Sequence, residues 1–258
     1  MRANRIRQCW ERGEAAVNGW LLIPDGFSAE LMSHQGWDCL TVDMQHGLAD
    51  FQVTVAMLTA ISTGDTAPVV RIPWLDAGIV MRVLDAGAYG VICPMIETAA
   101  DVECFVSATR YPPRGNRSFG PLRATLYAGS DYVRHADDTI VRFAMIETRK
   151  ALDNLDDILS VEGLDAVYIG PADLSSALGY PPGMDPEEPE VVEAIEHTRA
   201  KAAEHGVVAG IHTGSTSYAR RMIDRGFRFV TVGMDAQIIA DGARAMLTRM
   251  RPGNNGAQ

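Results

Sequence analysis

Eight short apolar runs punctuate the chain, at residues 20–23, 39–43, 68–72, 90–94, 141–147, 166–170, 207–211 and 229–233. Each is rich in Val, Ile and Leu, the composition of parallel strands covered on both faces. Amphipathic stretches separate them, among them FQVTVAMLTAIS (51–62), IVMRVLDAG (79–87) and VVEAIEHTRAKAAEHG (191–206). Several of these close on a glycine suited to the left-handed residue that follows a helix. Eight strands alternating with helices in 258 residues predict an α/β fold, a single (β/α)8 TIM barrel over residues 1–250 with an N-terminal helix. An open doubly wound sheet would require a glycine-rich phosphate loop after an early strand, and neither GxGxxG nor GxxxxGK[ST] stands there. Residues 110–139 break the rhythm and are too long for an ordinary connection, so a functional or interfacial insertion is expected. The tail 251–258, RPGNNGAQ, is expected to be disordered.

Composition excludes several classes. Hydrophobic residues make up 47%, too many for a disordered chain, and the net charge of −10 argues against non-specific binding to nucleic acid or an anionic membrane. No apolar stretch approaches the ~18–20 residues that span a bilayer, and the N-terminus lacks the apolar core of a secretory signal. The four cysteines, Cys9, Cys39, Cys93 and Cys104, form no CxxC pair. They read as reduced core thiols in a cytoplasmic protein.

In a barrel of this kind chemistry sits where strands finish, so polar residues at the ends of the runs are informative. VDMQHG delivers Asp43 and His46, VVRIPW delivers Arg71, and FAMIETR delivers Glu147. VYIGPADLS delivers Asp173, GIHTGS delivers His212, and TVGMD delivers Asp235. Neighbouring strands lie ~4.8 Å apart, which allows Glu147 and Asp173 to converge with His46 and Arg71 facing them. Two carboxylates leave most of an octahedral shell open for water and substrate, which suits Mg²⁺, Mn²⁺ or a similar divalent ion. Lys150 and Lys201 are the only lysines. Neither falls inside a strand, so a lysine Schiff base is not expected and carbonyl chemistry would call for a metal.

VDMQHG, PVVRIPW, VLDAGAYGVICPM, RYPPRGNRSFG, MIETRKALDNLDDIL and DAVYIGPADLS, in this order, resemble the HpcH/HpaI aldolase/citrate lyase family over roughly residues 15–250. Within it the chain is most similar to the divalent-metal-dependent (class II) pyruvate aldolases, which cleave 4-hydroxy-2-oxo acids and use Mg²⁺, Mn²⁺ or Co²⁺ without an organic cofactor. The resemblance implies a barrel in a homo-oligomer, a hexamer or another multiple of a dimer or trimer, with sites near subunit interfaces. It implies Glu147 and Asp173 as metal ligands, His46 as the base, Arg71 as the stabiliser of an enolate and Asp85 as the acidic partner of His46. Ala172 would offer its backbone N–H to a substrate carboxylate, and Met145, Gly170, Asp173 and His212 complete the expected substrate lining. Gln45 stands where many relatives carry Glu, and Met145 where some carry Gln, which bears on substrate choice more than on the chemistry.

Plainer roles stand beside these. Arg71 and Asp43 are also compatible with a buried structural ion pair, and Asp173 with the N-cap of the next helix, a role that can coexist with ligation. Arg110, Arg114, Arg117 and Arg123 suit either a distal substrate carboxylate or a solvated cluster. His212 has no role assigned beyond lining the mouth. The alternatives to an aldolase are a lyase acting on a CoA thioester, or a silent barrel that binds or regulates. Asp85 ends a helix, which in a barrel lies at the end opposite His46, so the two are expected to meet only across a subunit interface.

Overall fold

The computed structural model describes residues 1–251; of the tail 251–258 only Arg251 is among them. Eight parallel strands close into a barrel in chain order. They are β1 (Ala16–Leu21), β2 (Cys39–Asp43), β3 (Ala67–Arg71), β4 (Gly90–Cys93), β5 (Val141–Ile146), β6 (Ala166–Ile169), β7 (Val208–Thr213) and β8 (Phe229–Met234). β8 pairs with β1, which leaves no sheet edge. Helices follow the strands as anticipated, including α2 (Gly26–Ser33), α3 (Phe51–Ile61), α4 (Ala77–Asp85) and α5 (Ala99–Thr109). Asp25, Asp50, Asp76 and Thr98 cap their first turns by accepting from a backbone N–H three residues on.

The core has an inner and an outer part. Ala16, Trp20, Val69, Ile92, Phe143, Met145, Tyr168 and Phe229 fill the barrel interior, and α1 (Arg5–Glu11) closes its base with Ile6 and Cys9. A larger layer, including Val70, Val91, Ile146, Val167 and Ile211, packs the strands against the surrounding helices. The final helix, α13 (Asp235–Met250), turns nearly all its side chains to solvent, Ile239, Met246 and Met250 among them. No helix among the described residues is long and apolar enough to cross a membrane.

Two strands depart from the hydropathy reading by more than one residue at a limit. β1 starts at Ala16 rather than residue 20, and β7 runs on to Thr213. Both carry polar or small residues, Asn18, Gly19, His212 and Thr213, that break the apolar run. The barrel interior satisfies those polar groups, as where Thr213 donates to the Thr231 carbonyl at 2.8 Å.

Residues 110–139 form α6 (Leu122–Ala128) and α7 (Tyr132–Thr139). Ala124, Ala128, Tyr132 and Ala136 face inward, while Phe119, Leu122 and Leu126 stay exposed. The arginines of this region lie away from this chain's own mouth and are engaged with neighbouring segments. Arg123 donates to the carbonyls of Leu58 and Ala86, at the C-terminal ends of α3 and α4. Arg114 meets Asp137 at 3.4 Å, and the Arg110 guanidinium lies against Gly163. Arg117, fully buried with cation–π contacts to Tyr111 and Tyr132, pairs with Asp85 at 2.6 Å.

Candidate active site

A cavity of about 210 Å³ opens at the C-terminal ends of the strands and is lined by His46, Arg71, Met145, Gly170, Asp173 and His212, with Ala172, Trp20 and Asp43 beside them. Of the expected site residues, only Glu147 and Asp85 lie outside this lining. Glu147 stands directly behind Gly170. Asp85 is on Arg117, at the C-terminal end of α4.

The β2–β3 register sets Asp43 against Arg71. Arg71 Nε donates to Asp43 Oδ1 at 2.8 Å and Nη2 to Oδ2 at 2.6 Å, a two-pronged fork. Asp43 has no exposed surface, and it also accepts from Trp20 Nε1 and from the backbone amides of Gln45 and His46. Burial alone would raise its pKa. The Arg71 bonds and charge, with those two amides, outweigh burial and hold the carboxylate below its ordinary range. The guanidinium sits 4.8 Å over the Trp20 ring, and Nη1 has no acceptor among the described residues. The buried ion pair and a place on the cavity wall thus coexist in Arg71. Asp43 fixes the plane of the fork, and the remaining edge faces the cavity.

Glu147 is shaped by two backbone oddities. Met95 holds a left-handed φ of 55°, rare for a non-glycine residue, and its N–H donates to Glu147 Oε1 at 2.8 Å. Any Cβ at position 170 would stand 2.6 Å from Glu147 Oε2, so glycine there leaves that oxygen room to emerge. Burial pushes the Glu147 carboxyl up to about 7, opposed by the Met95 amide, reinforced by the nearby Asp173 charge and opposed again by Arg71.

Asp173 does not cap its helix, α10 (Pro171–Ala177). Gly170 holds the N-cap position without a side-chain bond, and Asp173 lies inside the first turn. Its exposed carboxylate makes no hydrogen bond among the described residues. Ala172, second in the helix after a proline, has a backbone N–H with no intrahelical acceptor. The His46 amide is anchored on Asp43, while its ring is exposed and makes no hydrogen bond among the described residues.

Asp235, also delivered by a strand end, is absorbed by structure: its carboxylate accepts from the amides of Leu22 and Ile23. Lys150 and Lys201 are on outer helices, paired with Glu97 and with Asp156 and Glu204. No group of three His, Cys, Asp or Glu among the described residues could hold a metal. The pair Glu147 and Asp173 nevertheless fits a divalent cation. One oxygen emerges beside Gly170, a second carboxylate is free, and the Asp173 charge adds to the cost of charging Glu147. Hard oxygen donors of this kind match Mg²⁺ or Mn²⁺, with the remaining positions left to substrate and water.

Sequence reasoning missed Met95 and Trp20, and weighed Asp43 only as a structural partner. CPM after an apolar run carries no mark of a left-handed residue. Trp20 reads as plain core.

The family model for HpcH/HpaI aldolase/citrate lyase matches residues 20–241. A hydroxypyruvate/pyruvate aldolase of Rhizorhabdus wittichii is 45% identical over 96% of this chain and 99% of its own length. A 4-hydroxy-2-oxo-heptane-1,7-dioate aldolase of Salmonella dublin is 36% identical over 95% and 94%. Among solved structures, a HpcH/HpaI family protein of Burkholderia cenocepacia superposes with a TM-score of 0.90, at 31% identity over 96% of this chain and all of its own. With a matching family model over most of its length, relatives aligned end to end and a superposable barrel, the chain belongs to the HpcH/HpaI aldolase/citrate lyase family.

Proposed function

We propose that this chain is a divalent-metal-dependent aldolase, joining and splitting the carbon–carbon bond between a pyruvate-type 2-oxo acid and an aldehyde. The observation that carries the reading is the convergence, at one small cavity, of His46, an Arg71 fork locked by Asp43, and Asp173, with the Glu147 carboxylate directly behind Gly170 of its wall. Two similar chains carry aldolase names, one for hydroxypyruvate and pyruvate, the other for a 4-hydroxy-2-oxo diacid. A volume of about 210 Å³ suits a small oxo acid better than a CoA thioester, and four retained reactive groups argue against a silent barrel.

Glu147 and Asp173 would hold the cation, Mg²⁺, Mn²⁺ or Co²⁺, which supplies Lewis-acid charge at the 2-oxo oxygen. The Ala172 amide orients the substrate carboxylate. In cleavage, His46 takes the proton of the C4 hydroxyl, the aldehyde C=O forms, and the C3–C4 electron pair passes into the enolate. Arg71 holds its free guanidinium edge toward the enolate oxygen, a charge fixed in advance of the reaction. The enolate then takes a proton at C3, and His46 returns its own to solvent; condensation reverses the steps. No lysine imine and no organic cofactor enter.

Proton NMR of pyruvate in D₂O with the enzyme and Mg²⁺ or Mn²⁺ tests this directly. Methyl deuteration that stops on adding EDTA is expected. No exchange with any divalent ion, or borohydride trapping of pyruvate on the protein, would overturn it.

The same reading makes the enzyme a homo-oligomer whose sites draw on two subunits. Among the described residues no carboxylate pairs with the His46 ring, and Asp85 is held by Arg117 with a 23% exposed side chain. Both regions expose large apolar side chains, Phe119 and Leu122 near Asp85 and Leu48 and Trp74 near the His46 rim. Refolding His46→Ala together with Asp85→Ala should restore activity in mixed oligomers. Verified mixed oligomers no more active than either parent would rule out the shared site.

A further inference from the structure

His212 carries more than a place on the wall. It ends β7 almost wholly buried, with Trp20 edge-on at 4.9 Å between ring centroids. Its Nδ1 lies 3.0 Å from the Tyr168 hydroxyl, which lies 2.7 Å from Thr231 Oγ1. Thr231 Oγ1 in turn lies 2.8 Å from the Asn18 side-chain amide. The register builds this chain, since Asn18 and His212 both pair with Thr231 across neighbouring strands. Gly210 makes room for it, because a Cβ there would stand 3.1 Å from the Tyr168 ring.

Proton directions along the chain follow from its far end. The carbonyls of Cys39 and Gly19, each 3.3 Å from the Asn18 amide, can only accept, so the amide nitrogen faces them and its oxygen faces Thr231. The Thr231 hydroxyl therefore donates to Asn18, and the Tyr168 hydroxyl donates to Thr231. Tyr168 Oη has then spent its proton and can only accept from His212 Nδ1–H. The other ring nitrogen, Nε2, is left as a bare acceptor with no protein partner among the described residues, on a ring that lines the cavity. Burial, with the Arg71 charge adding to it and Asp43 opposing, lowers the His212 pKa to about 4, so the ring stays neutral.

We infer that His212 Nε2 accepts a hydrogen bond from a hydroxyl on the carbon next to the 2-oxo group, so that the cavity selects 3-hydroxy-2-oxo acids over their methyl counterparts as donors. Position and chemistry agree. Arg71 and His212 flank the same Trp20 ring, so a substrate with its oxo oxygen at Arg71 brings its adjacent carbon toward His212. Of the polar groups against Trp20, Arg71 is cationic and Asp43 is already spent as an acceptor, and a fixed acceptor offers a methyl group nothing. The substrate assignment rests on the aldolase reading, whereas the tautomer does not.

The test uses the full-length, metal-loaded protein with nitrogen-15 histidine, the His212 signals being identified by their loss in His212→Phe. At neutral pH a protonated Nδ1 and a bare Nε2 are expected, and a protonated Nε2 would overturn the inference. Hydroxypyruvate should shift the Nε2 resonance while pyruvate leaves it in place; equal responses, or none, would also overturn it. These readouts do not require turnover, so they stand even if enolate exchange is absent and the aldolase reading fails. In the active enzyme, His212→Phe should lower the kcat/KM ratio of hydroxypyruvate to pyruvate by about five- to tenfold, the value of one hydrogen bond. Tyr168→Phe keeps the imidazole but frees its tautomer. It should move the same ratio in the same direction, and an unchanged ratio in both variants would refute the assignment.

Discussion

Two strand arginines are buried against aspartates, one at each end of the barrel, and they are used differently. Arg142, early in β5 and 1% exposed, spends every nitrogen. Nε donates to Thr109 Oγ1 at 2.6 Å, Nη1 to the Ile140 carbonyl and Asp165 Oδ2, and Nη2 to the Asp137 carbonyl. Burial lowers its pKa, with the Asp165 charge opposing and other arginines adding to the effect. Arg71, at the end of β3, spends only the Nε and Nη2 edge on Asp43 and leaves Nη1 toward the cavity. A buried ion pair is weak evidence for function or for stability by itself. What separates the two is whether the guanidinium keeps a free edge where a substrate can reach it.

That difference yields opposite mutational signatures. Asp165→Ala strands Arg142 without its counter-charge and should cost about 3–5 kcal/mol of unfolding free energy. It should show in denaturant melts, with kcat/KM of the folded fraction unchanged. Arg71→Lys should do the reverse. An ammonium on a flexible stem cannot reproduce the fork, and losing one preorganised charged contact should lower turnover by ~10²–10³ while the midpoint of unfolding moves little. A Lys variant within a few-fold of wild type would reduce Arg71 to another Arg142.

Asp43 adds a pH dependence. Its folded pKa lies below the unfolded value, so the native state keeps the carboxylate charged at pH values where the unfolded chain takes up a proton. The stabilisation is complete above the ordinary carboxylate range and is lost as pH falls from that range through the lowered folded pKa. Asp43→Asn should therefore flatten the acid limb of the stability profile, and an unaltered limb would mean that Asp43 titrates normally.

Gly170→Ala probes the mouth without touching a charge. The added Cβ meets Glu147 Oε2 at 2.6 Å, and the neighbouring Met145 Cε at 3.0 Å blocks an easy sidestep. On the proposal that Glu147 holds the cation, displacing that oxygen should weaken metal binding by about 10–100-fold, measured by calorimetry with Mn²⁺. Wild-type affinity would show that the cation is held elsewhere.

The sequence disclosed the mouth better than the base for a physical reason. At strand ends the apolar run stops, so Asp43, His46, Arg71, Glu147 and Asp173 stand out as polar residues where a barrel concentrates chemistry. Arg142 lies within an apolar run and Asp165 just before one, and nothing in hydropathy marks a pair whose partners come from separate segments. Tyr168 was hidden likewise, since a tyrosine in a Val-Ile strand reads as core until its hydroxyl is seen between His212 and Thr231. The left-handed Met95 is a backbone conformation with no residue code outside glycine. Asp85 was placed correctly at the far end of α4, but its partner Arg117 arises in the 110–139 segment, whose path periodicity does not reveal.

The smallest expected effects come from removing one neutral donor or acceptor at each end. Thr109→Val deprives Arg142 Nε of its acceptor at 2.6 Å in a closed environment. A buried charged donor left unpaired costs about 1–3 kcal/mol, and all of it should appear as stability, none as turnover. Trp20→Phe removes the indole N–H that donates to Asp43 Oδ2 at 3.2 Å. Asp43 keeps two bonds from Arg71 and two backbone amides, so the loss in stability should be only about 0.5–1.5 kcal/mol. Yet Trp20 also supports the Arg71 guanidinium from below and meets the His212 ring edge-on. A smaller ring lets both shift within the cavity, so a few-fold fall in kcat should accompany the modest loss of stability. Equal stability losses with no change in kcat for either variant would erase the distinction between the two ends of the barrel.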